Sequence, residues 1–195
     1  MPPRSIPSTR KLRGTPAAAT TGVPRKQLSR RALQAARKQL LNWFRQRGWK
    51  PFRFQSETWQ AYLAGQSGVL HSSTGTGKTL AVWLGPVLAG LAEQQTADRT
   101  QAPPPLRVLW MTPLRALAAD TVRALQEPVS DLQLNWSIEL RTGDTSAAVK
   151  RRQLAKLPTA LVTTPESLSL LLSQADSQTL LSSLRLVVVD EWHEL

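Results

Sequence analysis

The chain has 195 residues, a formal net charge of +12 and no cysteine. That length suits one domain with its own core. The lack of cysteine excludes disulfides, Cys-held zinc and iron–sulfur clusters, and no apolar run approaches the roughly 18 residues of a membrane span. The basicity is local: Met1 to Lys50 holds 13 Lys/Arg and no acid, whereas Pro51 to Leu195 holds 12 Lys/Arg against 13 Asp/Glu.

A cation-rich N-terminus favours polyanions such as nucleic acid or anionic lipid; its other reading is a solvated tail. Residues 1–26 carry five prolines and few large apolar side chains. They bury too little surface to offset ordering entropy, so a disordered basic tail is expected. Their Arg-rich, acid-free composition also resembles a transit peptide, whereas a secretory leader is excluded for want of an apolar stretch.

Residues 27–48 read as a basic amphipathic helix. Ser29 is its cap, Leu33, Ala36, Leu40, Leu41 and Phe44 are its apolar face, and Gly48 ends it. Docking on a core by that face is one role, and DNA contact by the basic face is another. From Trp49 the signals alternate. Strands are expected over Ser67–His71, Leu106–Thr112, Ser137–Arg141, Thr159–Thr163 and Arg185–Asp190. Helices are expected over Gly77–Leu91, Pro113–Gln126, Ser146–Leu157, Pro165–Gln174 and Ser177–Leu184, with a surface loop over Glu93–Pro105. Alternation of this kind specifies an α/β fold with a parallel sheet covered on both faces.

The stretch SSTGTGKT, Ser72 to Thr79, follows the first expected strand and opens a helix. Phosphates need backbone N–H donors that approach closely, which Thr74, Gly75, Thr76 and Gly77 offer. Lys78 puts an ammonium on the β- and γ-phosphates, and Thr79 gives a hydroxyl to Mg²⁺. The strict P-loop pattern has Gly where Ser72 stands. The other reading is a Gly-rich helix start without a ligand. Near the C-terminus VVVDE ends an apolar strand in two carboxylates, with Asp190 suited to hold Mg²⁺ through water and Glu191 to accept a proton from an attacking water. Together the two stretches specify a P-loop site for a phosphorylated nucleotide with Mg²⁺.

TGTGKT, TPLRALAAD, RTGDT, TTPESLSLLL and VVVDEWHEL, in that order, resemble motifs I, Ia, Ib/Ic and II of superfamily 2 DExH-box helicases. The wording is most similar to the large helicase-related (Lhr) family, especially its bacterial DNA-ligase-associated branch. The resemblance covers residues 49–195 and implies a P-loop NTPase with ATP as its nucleotide, the first RecA-like domain of a helicase. It implies that Gln55 reads adenine, a role its amide suits as both donor and acceptor; an ordinary helix-start polar residue is the alternative. Phe52 or Phe54 would pack on the base or fill core. Thr112, Pro113 and Arg115, then Thr142, Gly143 and Asp144, then Thr164, Pro165, Glu166 and Ser167 would grip a nucleic-acid backbone without reading sequence. Taken alone, these segments are helix starts or a Gly-Asp turn.

His193 completes D-E-x-H and would couple the nucleotide site to the nucleic acid or to a second domain; with one other histidine and no cysteine, zinc is not expected. Trp192 fits the branch, and most of the other six tryptophans read as core.

The resemblance further implies ATP-driven 3′–5′ translocation on single-stranded or partly duplex DNA, a bacterial cytoplasmic, nucleoid-associated location, and DNA-repair nuclease or ligase partners. The alternatives are an RNA helicase of the same superfamily and a non-catalytic nucleic-acid-binding remnant. Motif III and a second RecA-like domain with its arginine finger do not occur in the sequence, so the expectation is a C-terminally incomplete domain, inactive by itself.

Overall fold

The computed structural model describes residues 28–71, 75–96 and 102–192. The tail expected over residues 1–26, Thr74 and His193 lie outside the described residues. Helix α1 (Arg30–Gln46) opens the described chain, followed by α2 (Arg53–Leu63) and α3 (Lys78–Gln94). Strand β1 (Val108–Met111), α4 (Arg115–Asp131), β2 (Ile138–Arg141), α5 (Ala147–Ala155), β3 (Ala160–Thr163), α6 (Pro165–Leu172), α7 (Ser177–Leu181) and β4 (Leu186–Val189) complete the order.

The four strands form one parallel sheet in the order β2-β3-β1-β4. Side chains alternate between its faces, as the period of a strand requires. Val108, Trp110, Ala160, Val162 and Val188 enter the larger core with residues of α1, α3 and α4. Leu109 and Leu161 point the other way, into a smaller cluster with Leu157 and Leu171. The α/β, parallel-sheet expectation is met.

The expected strand at Ser67–His71 is not formed. Those residues lack regular structure and Val69 is 70% exposed. A strand needs a neighbour for its backbone donors and acceptors, and among the described residues β4 pairs only with β1. Val187 and Val189 of β4 are accordingly exposed. Helix α2 was anticipated only as the helix start in the alternative reading of Gln55, without bounds. Glu93 and Gln94, placed in a loop by their polarity, belong to the last turn of α3.

Helix α1 starts as expected, with Ser29 Oγ accepting from the Ala32 N–H at 3.1 Å, and ends at Gly48 with φ +69°. Its buried face is Ala32, Ala36, Leu40, Trp43 and Phe44; Leu41 is on the solvent side. Four of the six other tryptophans are core, but Trp49 is half-exposed. The end of α1 is tied to α4: the Trp43 indole N–H donates to Asp131 Oδ2 at 3.0 Å, and Arg47 pairs with Asp131 and Glu127. That indole donor, followed by Arg47, holds the Asp131 carboxyl below its ordinary range.

Candidate nucleotide and nucleic-acid site

The registers Met111–Thr163, Met111–Val189 and Arg141–Thr163 align the carboxyl ends of all four strands. The residues that follow, Thr142, Thr164, Thr112 and Asp190, therefore stand in one row along the sheet end. In open α/β sheets this is the edge where ligands bind. The Thr112 N–H donates to Thr163 O at 3.0 Å and the Asp190 N–H to Met111 O at 2.8 Å, extending the ladder into the row.

Asp190 is held on both carboxylate oxygens. Oδ2 accepts from the Trp110 indole N–H at 3.2 Å, and Oδ1 from the Glu191 amide at 3.1 Å. Trp110 is 1% exposed and was read from the sequence only as core. Its position two residues before the TP of motif Ia is the signal that sequence reasoning passed over. Glu191 has φ +44°, a left-handed backbone that costs a residue with a Cβ roughly 1–2 kcal/mol.

The phosphate loop turns on Gly75 (φ +74°) and Gly77 (φ +83°), and Lys78 and Thr79 open α3. Gln55 is buried at the start of α2. Its Oε1 accepts from the Phe52 N–H at 2.9 Å, and its Nε2 donates to Gly77 O at 3.1 Å. A Cβ on Gly77 would meet that Nε2 at 2.8 Å, so the glycine serves both the left-handed turn and the close approach. The second N–H of the Gln55 amide has no hydrogen-bond partner among the described residues. Phe52 is 59% exposed and stacks on Phe54 with ring centroids 5.8 Å apart. Neither ring fills the core. The two left-handed glycines with a lysine and a threonine at a helix start have the chemistry that suits phosphates, and the anchored aspartate at the sheet end has the chemistry that suits Mg²⁺.

The turn after β2 is locked from three sides. The Thr142 N–H donates to Thr145 Oγ1 at 2.9 Å, Lys150 Nζ donates to Gly143 O at 2.9 Å, and Arg115 pairs with Asp144 at 3.1 Å. A Cβ on Gly143 would come within 2.7 Å of the Arg115 guanidinium. Motifs Ia and Ib thus touch through Arg115. Arg141 beneath the turn is buried, which lowers its pKa, and donates to Lys150 O and Gln153 Oε1, each at 3.2 Å. Pro165 and Glu166 open α6, with Ser167 buried and Glu166 exposed. The Glu166 carboxyl is held below its usual range, first by its own backbone N–H and also by the Arg115 charge. The Thr112 Oγ1 is buried with no hydrogen-bond partner among the described residues.

Residues 52–195 match the DEAD/DEAH box helicase family. The chain is 35% identical over 162 residues to the Lhr helicase/probable uracil glycosylase of Mycolicibacterium smegmatis, covering 77% of this chain and 10% of that protein. It is 38% identical over 144 residues to the ATP-dependent helicase Lhr-Core of Methanocaldococcus jannaschii, covering 67% of this chain and 16% of that one. It thus spans about a tenth to a sixth of these relatives. The solved structure of Mycobacterium smegmatis helicase Lhr bound to ssDNA and AMP-PNP superposes with TM-score 0.66 at 32% identity, over 82% of this chain and 20% of that one. The helicase MrfA bound to DNA and AMPPNP superposes with TM-score 0.64 at 24% identity, over 94% of this chain and 24% of that one, a likeness of fold. Among the described residues no helix is long and apolar enough to cross a membrane.

Proposed function

This chain belongs to the DEAD/DEAH box helicase family, and we propose that it forms the nucleotide-binding half of an ATP-dependent DNA translocase of the Lhr type. The observation that carries this reading is the row at the sheet end. Three threonines of backbone-gripping motifs stand in register with Asp190 of the hydrolytic motif, so nucleic acid and nucleotide would lie along one edge. The M. smegmatis relative, bound to ssDNA and AMP-PNP, supports both ligands.

In this reading Gly75, Thr76 and Gly77 receive the phosphates on their backbone N–H groups, beside Thr74. Lys78 neutralises charge there, and Thr79 and Asp190 hold Mg²⁺, which when bound withdraws electron density from the phosphoryl oxygens. Glu191 accepts the proton of the attacking water, and the free N–H of Gln55 and the exposed Phe52 ring meet the adenine. Arg115, Thr142, Gly143, Asp144, Thr164, Pro165, Glu166 and Ser167, with Thr112 and Pro113, position the DNA backbone. His193 couples the two ligands. The activity is that of the whole protein, whose second RecA-like domain would supply the arginine opposite the phosphates. Polarity 3′–5′, a role in repair and nuclease or ligase partners extend the same reading.

The test is nucleotide binding by Lys78→Ala followed by polymer-stimulated hydrolysis in the whole protein. Loss of nucleotide affinity, with stimulation by single-stranded DNA above RNA of the same length, is the expected result. Unchanged affinity overturns the ATP site, and greater stimulation by RNA overturns the choice of DNA.

A further inference from the structure

The sequence leaves one strongly charged feature unused by the ATP site. Arg30, Arg31, Arg37, Lys38 and Arg45 of α1 are all exposed. At 3.6 residues per turn they fall within an arc of about 120°, over a length of about 22 Å. Opposite that arc lie Ala32, Ala36, Leu40 and Trp43, buried in the larger core. The helix is therefore fixed, and its cations form a stripe on a rigid support.

The stripe is unneutralised. No ion pair joins any of the five to a carboxylate among the described residues; Arg45 donates only to Asn42 Oδ1, at 3.5 Å. Elsewhere Arg47, Arg107, Arg115 and Arg152 each meet a carboxylate. The first 50 residues contain no Asp or Glu at all, so α1 has no acid of its own to pair with. Five like charges on one helix face repel one another and destabilise it modestly. An external polyanion removes that repulsion.

We propose that this stripe docks the phosphate backbone of a nucleic-acid duplex, through residues other than those of the row at the sheet end. Phosphates along one strand of B-DNA are spaced about 3.4 Å apart along the axis, so the stripe spans about six of them. The side chains between the cations, Gln34, Leu41 and Asn42, include no aromatic ring. Single-strand sites ordinarily add stacking platforms; a stripe without one fits a duplex, whose bases are already stacked. The contact reads charge and not sequence. The inference uses the proposed translocase function only in choosing DNA over other polyanions.

The experiment is fluorescence anisotropy of the full chain without nucleotide, which keeps the outcome independent of the ATP site. A labelled duplex of about 30 base pairs is titrated at several salt concentrations against wild type and a variant carrying R30Q, R31Q, R37Q, K38Q and R45Q. The five side chains are exposed and form no ion pair among the described residues, and circular dichroism confirms that the variant is folded; a variant with the four arginines changed to lysine keeps the charge. Each duplex phosphate contact contributes a salt slope of about −0.9, so the glutamine variant should bind on the order of tenfold or more weaker and lose about two to four of slope, while the lysine variant changes little. Unchanged affinity and slope in the glutamine variant overturn the proposal. A loss confined to oligo(dT), or to vesicles of phosphatidylserine and phosphatidylcholine with duplex binding intact, overturns the duplex as partner.

Discussion

The indole N–H of Trp110 donates to Asp190 Oδ2 across 3.2 Å, joining the buried centre of β1 to the carboxylate at the end of β4. With the Glu191 amide on Oδ1, it fixes the orientation of the group proposed to hold Mg²⁺. Trp110→Phe keeps an aromatic ring and deletes the donor. Outer-sphere donors of this kind are worth about 10–100-fold in metal affinity. The midpoint for Mg²⁺ in Mg²⁺-dependent binding of a fluorescent ATP analogue should rise about tenfold, while metal-free binding is unchanged. An unmoved Mg²⁺ midpoint would show that the bond is packing alone.

Gln55 braces the phosphate loop through Gly77 O and is proposed to read adenine with its remaining N–H. The two roles separate by base. Gln55→Ala loosens the loop for every nucleotide and removes the adenine contact only for ATP. Affinity for ATP should fall further than affinity for GTP, by the few-fold that one hydrogen bond of about 1 kcal/mol represents. Equal losses would leave Gln55 as a brace without a reading role.

Arg115 and Asp144 form an exposed pair, with side chains 58% and 74% exposed. Such pairs contribute little to stability. Arg115→Ala should leave the melting temperature nearly unchanged yet weaken single-stranded DNA binding, reducing the salt slope by about 0.7 for one lost phosphate contact. A melting temperature that collapses with DNA binding intact would contradict the proposed role.

The Asp131 carboxyl, lowered chiefly by the Trp43 N–H, makes a pH-dependent contribution. A depressed carboxylate stabilises the fold fully above its unfolded pKa, here the ordinary value 3.8, and loses that contribution as pH falls through the folded value. Asp131→Asn should therefore lower thermal stability at neutral pH, with the difference from wild type shrinking only below 3.8. A difference already lost at mildly acidic pH would point to another group.

Most elements were legible because their signals are local. Ser29 caps α1, Pro165 starts α6, and the apolar run before Asp190 is β4. The ordered motifs also named the residues that the registers bring into one row. What the sequence concealed depends on neighbours. Val69 and Leu70 suit a strand by type, but a strand exists only when paired. Leu41, expected on the apolar face of α1, falls among the cations at about 100° per residue and is exposed. Trp43 falls with Ala32, Ala36 and Leu40 on the buried face, where its N–H also finds Asp131. The roles of Trp110 and Gln55 rest on bonds across 80 and 22 residues of chain, which no local pattern records.

Glu191 sits where its backbone favours glycine. Fold and chemistry thus ask for different residues at one position. Glu191→Gly relieves a left-handed strain of roughly 1 kcal/mol and removes the carboxylate proposed to activate water. A search for heat-resistant variants of this domain would reward that change, so the screen most useful for handling the protein would select against the reaction that it is proposed to perform.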